Sequence, residues 1–300
     1  MKITKKFIKT IILFYILSTA IACVKEEVKS VDNEFTFKIQ FFVGDVKILR
    51  ADAEVPINQG DQLNINDVII TGVKSSVDIL YGAAGIIRIN ENSKISITAI
   101  ADDKNSDAVM DMEKGKVFAA FSKLKGTKFN VKTPTVVASV RGTSFSVVSD
   151  KSGAKVSVLK GTVSADPVKD GNIIENRGVE IQANYKTDYV NEASVDKIAA
   201  GNKKIAVSKL SNTETTELQN DTKSIIGNID DIQDLTQQEK EDIKKEMLVG
   251  SGIDKTSVKP IKQKNDSVAE SIIDEKKAEE IKKQKEEQIK KERISNIPTM

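Results

Sequence analysis

Between residues 35 and about 191, apolar and polar positions alternate with a period of two in short runs. The runs cover residues 35–41, 46–49, 68–71, 77–81, 86–89, 94–98, 116–121, 129–133, 144–148, 155–159, 161–164 and 179–182. Such alternation predicts β-strands with one buried face and one wet face. Turn chemistry separates the runs: Gly44 and Asp45, Gly60 and Asp61, Gly82 and Gly85, Asn90 and Asn92, Gly115, Gly126, Gly153, Gly161, Asp170 and Gly171. Residues 101–108 are polar and read as a surface loop. Many short strands at regular spacing predict a mainly β domain over residues 35–192, built as a β-sandwich or a flattened β-solenoid.

After residue 192 the period changes. Residues 194–200, 213–226 and 236–248 read as helices, forming a helical region over residues 193–250. Thr236 and Glu239 have the spacing of a capping box, in which the hydroxyl and the carboxylate each satisfy a free backbone N–H. Gly250 and Gly252 end that helix. Residues 251–300 form a charged linker and a helical or disordered tail. Within it Glu279/Lys283, Glu286/Lys290 and Glu287/Lys291 are acid-before-base pairs one turn apart, each worth about 0.3 kcal/mol in an exposed helix. Ile281 and Ile289 make no heptad seam.

The N-terminus has a different pattern again. Lys2, Lys5, Lys6 and Lys9 precede an apolar run over residues 11–22, and Cys23 follows it. A basic stretch, a short apolar stretch and small residues before a cut site make a secretory signal peptide over residues 1–22. The run is shorter than the roughly 20 apolar residues a spanning helix needs. Thr19, Ala20, Ile21 and Ala22 resemble a bacterial lipobox, with Ala20 where the strict form prefers Leu. Cys23 is then the lipidation site of a lipoprotein, its sulfur carrying a diacylglycerol with palmitate-class chains. The alternative is an ordinary cut after Ala20-x-Ala22, which leaves Cys23 as a free thiol. Residues 23–34 are polar and acidic and read as a flexible tether.

Composition narrows the chemistry. The formal charge of +2 includes four leader lysines and no leader acid, so the processed chain sits at about −2. That argues against a nucleic-acid partner. One cysteine excludes an internal disulfide. The chain has no histidine, which removes the common zinc sites and histidine-based nucleophilic catalysis. No metal, cofactor or catalytic residue is assigned, and the chain is read as non-enzymatic. Asp61 and Asp67 flank a turn but lack the dense oxygen spacing of a calcium loop.

The most specific stretch is residues 129–147. Phe129 and Val131 point one way, Pro134 ends a strand, residues 136–140 form a second apolar run, and Gly142 supplies a turn or close approach. Phe145 and Val147 resume the inward alternation. Phe129, Val131, Thr133, Pro134, Ala138, Val140, Arg141, Gly142, Thr143, Phe145 and Val147 match, in order, the signature of the FecR domain family, which this segment resembles. Residues 43–46, 59–72, 76–80, 86–90, 115–117 and 158–163 are similar to the family's other strands. Residues 81–85 depart from it, where the family usually has Asp-Gly.

The resemblance implies a periplasmic all-β domain. The namesake proteins add a cytoplasmic anti-sigma region and a transmembrane helix. The short leader ending at Cys23 predicts neither, so the sigma-factor role is not carried over. The architecture instead resembles FecR-domain lipoproteins of spirochaetes. The expected setting is the cell envelope, with the protein lipid-anchored to the outer membrane in preference to the inner one and facing the periplasm. The expected partners are the membrane and an envelope protein. Two other readings stay open: a sensing or signalling domain related to iron-siderophore uptake, and an envelope-glycan enzyme using two carboxylates within about 10 Å of each other. Phe129, Thr133, Pro134, Arg141, Gly142, Thr143 and Phe145 are expected to be structural. The Arg141 fork is expected to satisfy loop carbonyls, and the Thr143 hydroxyl to bond a neighbouring backbone group.

Overall fold

The computed structural model describes residues 35–101, 107–122 and 127–258. The leader with Cys23, the tether and the charged tail beyond Val258 lie outside these residues. The strands in chain order are β1 (Phe37–Val43), β2 (Val46–Arg50), β3 (Ala53–Val55), β4 (Gln62–Leu63), β5 (Val68–Thr71) and β6 (Ser76–Tyr81). Next come β7 (Gly85–Ile89), β8 (Lys94–Ala99), β9 (Ala108–Phe121), β10 (Phe129–Lys132), β11 (Val136–Val140) and β12 (Ser144–Asp150). The last are β13 (Gly153–Lys160), β14 (Thr162–Lys169), β15 (Asn172–Ile173), β16 (Val179–Gln182), β17 (Tyr185–Thr187) and β18 (Val207–Lys209). The helices are α1 (Glu192–Ala199), α2 (Asn212–Asn228) and α3 (Gln237–Leu248).

The strands form two layers. The first sheet runs β4-β1-β6-β7-β9-β12-β13-β17-β18, all antiparallel. The second runs β3-β2-β5-β8-β9-β10-β11-β14-β16, antiparallel except for the parallel pair β9–β10. Strand β9 belongs to both. Residues 108–114 pair in the second sheet and residues 115–121 in the first. The crossing point is Gly115, at φ 117°, where a Cβ would run into the Ser93 side chain. The inner faces of both sheets merge into one core, so the period-two pattern is read correctly on that side. At its centre Phe37 stacks on Tyr81 at 4.7 Å and Phe121 meets Phe129 at 4.9 Å.

The expected wet outer face is corrected in the first sheet. Every residue of β7 is buried, and so is every residue over 117–121 of β9. Helices α2 and α3 cover that face. Leu218, Ile225, Ile229 and Met247 pack on Leu80, Ile86, Phe118 and Leu159 in a second, separate core. The continuous apolar run Val117, Phe118, Ala119, Ala120, Phe121 carried this signal, because a strand buried on both faces does not alternate.

Helix α3 starts at the capping box expected from Thr236 and Glu239. Helix α2 has a second one, Ser211 with Glu214, which the sequence reading missed. The N-terminal half of β9 was also missed. The buried Met110 and Met112 alternate with Asp111 and Glu113 there, beside the polar stretch read as a loop.

Candidate functional site

The family-like segment turns a corner between the sheets. Strands β10 and β11 form a hairpin in the second sheet, and β12 lies in the first. The chain passes from one to the other through Arg141, Gly142 and Thr143. A second passage, Gly161 between β13 and β14, lies against it: a Cβ on Gly161 would stand 2.6 Å from Thr143 Cγ2 and 3.0 Å from the Gly142 carbonyl. Gly142 has φ 142° and Gly161 φ 84°, so both corners rest on glycine backbone geometry. The Phe121 N–H donates to the Thr143 carbonyl at 2.9 Å and ties the corner to β9.

Phe129 and Phe145 are completely buried in the inner core. Thr133 caps the β10–β11 turn. Its hydroxyl donates to the Val136 carbonyl at 2.8 Å and accepts from the Val136 N–H at 2.9 Å. Pro134 is exposed at the tip of that turn, where no ladder donor is needed. Two expectations at the corner are corrected. Arg141 is exposed and makes no hydrogen bond or ion pair among the described residues, because its side chain leaves the corner for solvent instead of folding back on the loop. The Thr143 hydroxyl is buried and has no partner among the described residues; the corner uses its backbone carbonyl instead.

Among the described residues the two buried carboxylates, Asp67 and Asp78, are both gripped by arginine. Asp67 accepts from Arg50 Nε at 2.8 Å and Nη2 at 2.7 Å, and from the Asn64 N–H at 2.8 Å. Burial pushes its pKa up, but these donors outweigh that and hold it below the usual value. Asp78 accepts from Arg88 Nε and Nη2, both at 2.6 Å, in a buried cross-strand pair between β6 and β7. A carboxylate held this way is neither a free base nor an open metal ligand. Asp61 is used locally, accepting from the Asn58 N–H at 2.8 Å. Among the described residues no cluster of carboxylates is arranged to hold a metal, and no helix is long and apolar enough to cross a membrane.

The turn that departs from the family pattern is a tight hairpin. The Ala84 N–H donates to the Tyr81 carbonyl at 3.0 Å, and Gly82 has φ 50°. At Gly85 a Cβ would collide with the Ala120 carbonyl, so glycine allows β7 to lie close against β9.

Among the described residues the largest concentration of charge contacts lies between the first sheet and the helical segment. Lys116 Nζ meets Glu217 at 2.6 Å and Asp221 at 2.9 Å. Lys186 meets Glu214 at 2.6 Å, and Lys155 reaches the same carboxylate at 3.4 Å. Lys160 meets Glu246 at 3.2 Å, and Lys38 meets Asp234 at 3.4 Å. Burial pushes Glu214 up, but the bonds from Lys186 and Ser211 hold it down at about 2. Burial lowers Lys116, yet Asp221 and Glu217 together raise it above its ordinary value.

No curated protein matches the chain. Two crystal structures of a protein from Parabacteroides distasonis ATCC 8503, provisionally described as an anti-sigma factor, are similar to it at 16% identity and a TM-score of 0.38. The similarity covers 50% of this chain and 62% of that one, so the chain spans less than two thirds of that protein's length. Residues 67–164, from the start of β5 into β14 and through the whole glycine corner, match the family model for FecR protein, and the chain therefore carries a FecR domain.

Proposed function

We propose that this protein is a non-enzymatic recognition module of the bacterial cell envelope, held at a membrane by lipid on Cys23 and binding an envelope protein. The observation that carries the reading is the FecR match, together with how its residues are used. Phe129, Thr133, Gly142, Thr143 and Phe145 build the core, a turn and a corner, and the buried carboxylates are neutralised by arginine. What a partner can read is therefore the surface: sheet edges, loops and outward side chains. The leader pattern supports the anchor and the periplasmic side, and the outer membrane is the favoured location. The division into signal peptide, tether, β domain, helical region and charged tail belongs to the same reading.

A second reading, in which recognition is the first step of a sensing or signalling relay, is favoured by the family match itself. Crosslinking in intact cells tests both. Capture of a single envelope protein, lost on deletion of residues 35–192, supports recognition. A change in iron-uptake gene expression in a knockout selects signalling. An unchanged crosslink pattern after the deletion sinks the recognition reading. Metabolic labelling with a palmitate analogue tests the anchor: the wild type is expected to label and Cys23→Ala not to, and a Cys23→Ala protein that remains lipidated overturns it.

A further inference from the structure

The outer face of the first sheet carries two complementary features. Its centre is apolar, with Leu80, Ile86, Phe118 and Leu159. Around that centre stand Lys38, Lys116, Lys155, Lys160 and Lys186. The segment lying on it has the opposite character. Residues 211–249 contain ten acids against four lysines, a net charge of −6. Their buried apolar residues pack with that centre in one core. In every ion pair between sheet and helices among the described residues, the cation belongs to the sheet and the carboxylate to the helical segment. The segment also lies outside residues 67–164, the range that matches the family model.

The fit is incomplete. Ser144 and Ser146 project from β12 into this interface, and their hydroxyls are buried without a partner among the described residues. A buried hydroxyl that gave up water and gained no acceptor weakens the contact that buried it. A different occupant that brings acceptors to those two positions gains what the present one lacks.

We propose that this basic and apolar sheet face is the partner-binding surface of the protein, that it takes an acidic amphipathic helix, and that helices α2 and α3 occupy it in the isolated chain as an intramolecular stand-in. The proposal rests on the recognition reading above and assigns it a surface. Binding is then an exchange: the partner's helix displaces the chain's own, and the closed form protects an apolar face that would otherwise be exposed. The observed affinity is reduced by the fraction of chains that are closed, so weakening the cover strengthens binding in trans.

The test uses the chain from residue 23 onward and a labelled synthetic peptide of residues 211–249, so no cellular partner is required. The Glu217→Lys/Asp221→Lys variant breaks the Lys116 contacts and is expected to bind the peptide at least tenfold more tightly than the wild type. Adding Lys116→Glu restores opposite charges across the interface and is expected to reverse the gain. A folded charge-broken variant that binds no peptide overturns the proposal, as does one that binds anionic vesicles in its place. If that variant does not fold, hydrogen exchange on the wild type decides. Amides of residues 212–248 are expected to exchange before those of β9 and β12, and faster at high salt; exchange of both sets together, independent of salt, overturns the proposal. A missing crosslink in cells refutes the recognition reading and leaves this exchange measurement standing.

Discussion

Tyr81 shows how packing and polarity compete at a single side chain. Its ring is completely buried between Phe37, Phe121 and Phe129, and its hydroxyl has no partner among the described residues. Burial, with Asp107 adding to it, pushes the phenol well above its ordinary pKa. Tyr81→Phe removes a polar group that makes no bond, so it is expected to leave stability unchanged or raise it by up to about 1 kcal/mol in urea denaturation. The Asp78–Arg88 pair behaves in the opposite way. Arg88→Met leaves Asp78 buried without its counter-charge and is expected to cost about 3–5 kcal/mol, whereas replacing both residues with apolar ones of similar size costs far less. At the corner, Arg141→Ala is expected to change stability by less than about 0.5 kcal/mol. Gly142→Ala, at φ 142°, is expected to cost more than about 1 kcal/mol. The inward aromatics Phe129 and Phe145 and the glycine turn at Gly142 were legible in the signature, but the surroundings of the Arg141 and Thr143 side chains were not. The corner is braced by Gly161, about twenty residues further on, whose backbone approaches Gly142 and Thr143, and the motif alone does not record that approach.

At the scale of elements, the helix starts were readable because capping is local. Thr236 and Glu239 are three residues apart, and their bonds need nothing from the rest of the chain. Glu214 has one local role and one long-range role: it closes the Ser211 capping box and it receives Lys186 and Lys155 from the sheet. Its folded-state pKa of about 2 lies below its ordinary 4.5. A depressed carboxylate contributes stability that is fully present above its unfolded value and is lost as pH falls through the folded one. Contacts of α2 are therefore expected to weaken from about pH 4.5 down to about 2. Hydrogen exchange resolved by element checks this, with α2 losing protection before β9 and β12. Glu214→Gln is expected to flatten that acid dependence.

For the whole molecule, the two cores make different demands. The inner core joins both sheets and includes the aromatic cluster around Phe129, so Phe129→Ala is expected to destabilise the whole β domain by about 3–5 kcal/mol, read as a lower urea midpoint. The outer core joins one sheet to the helices, and its rim is ionic. Raising salt is expected to loosen the outer core more than the inner, because screening acts on exposed charge pairs and leaves apolar burial intact. The sequence by itself determined the mainly β character, the inward-facing residues, the capping box at Thr236 and the FecR likeness. Each of these is written in spacing along the chain: period two, period 3.6, or a short motif. Only the tertiary structure decided that β9 serves both sheets, that the glycine corners brace each other, and that an acidic helical segment closes over the lysines of the first sheet. Those facts depend on which distant faces meet, and an alternating strand pattern records that a face is buried without recording what buries it.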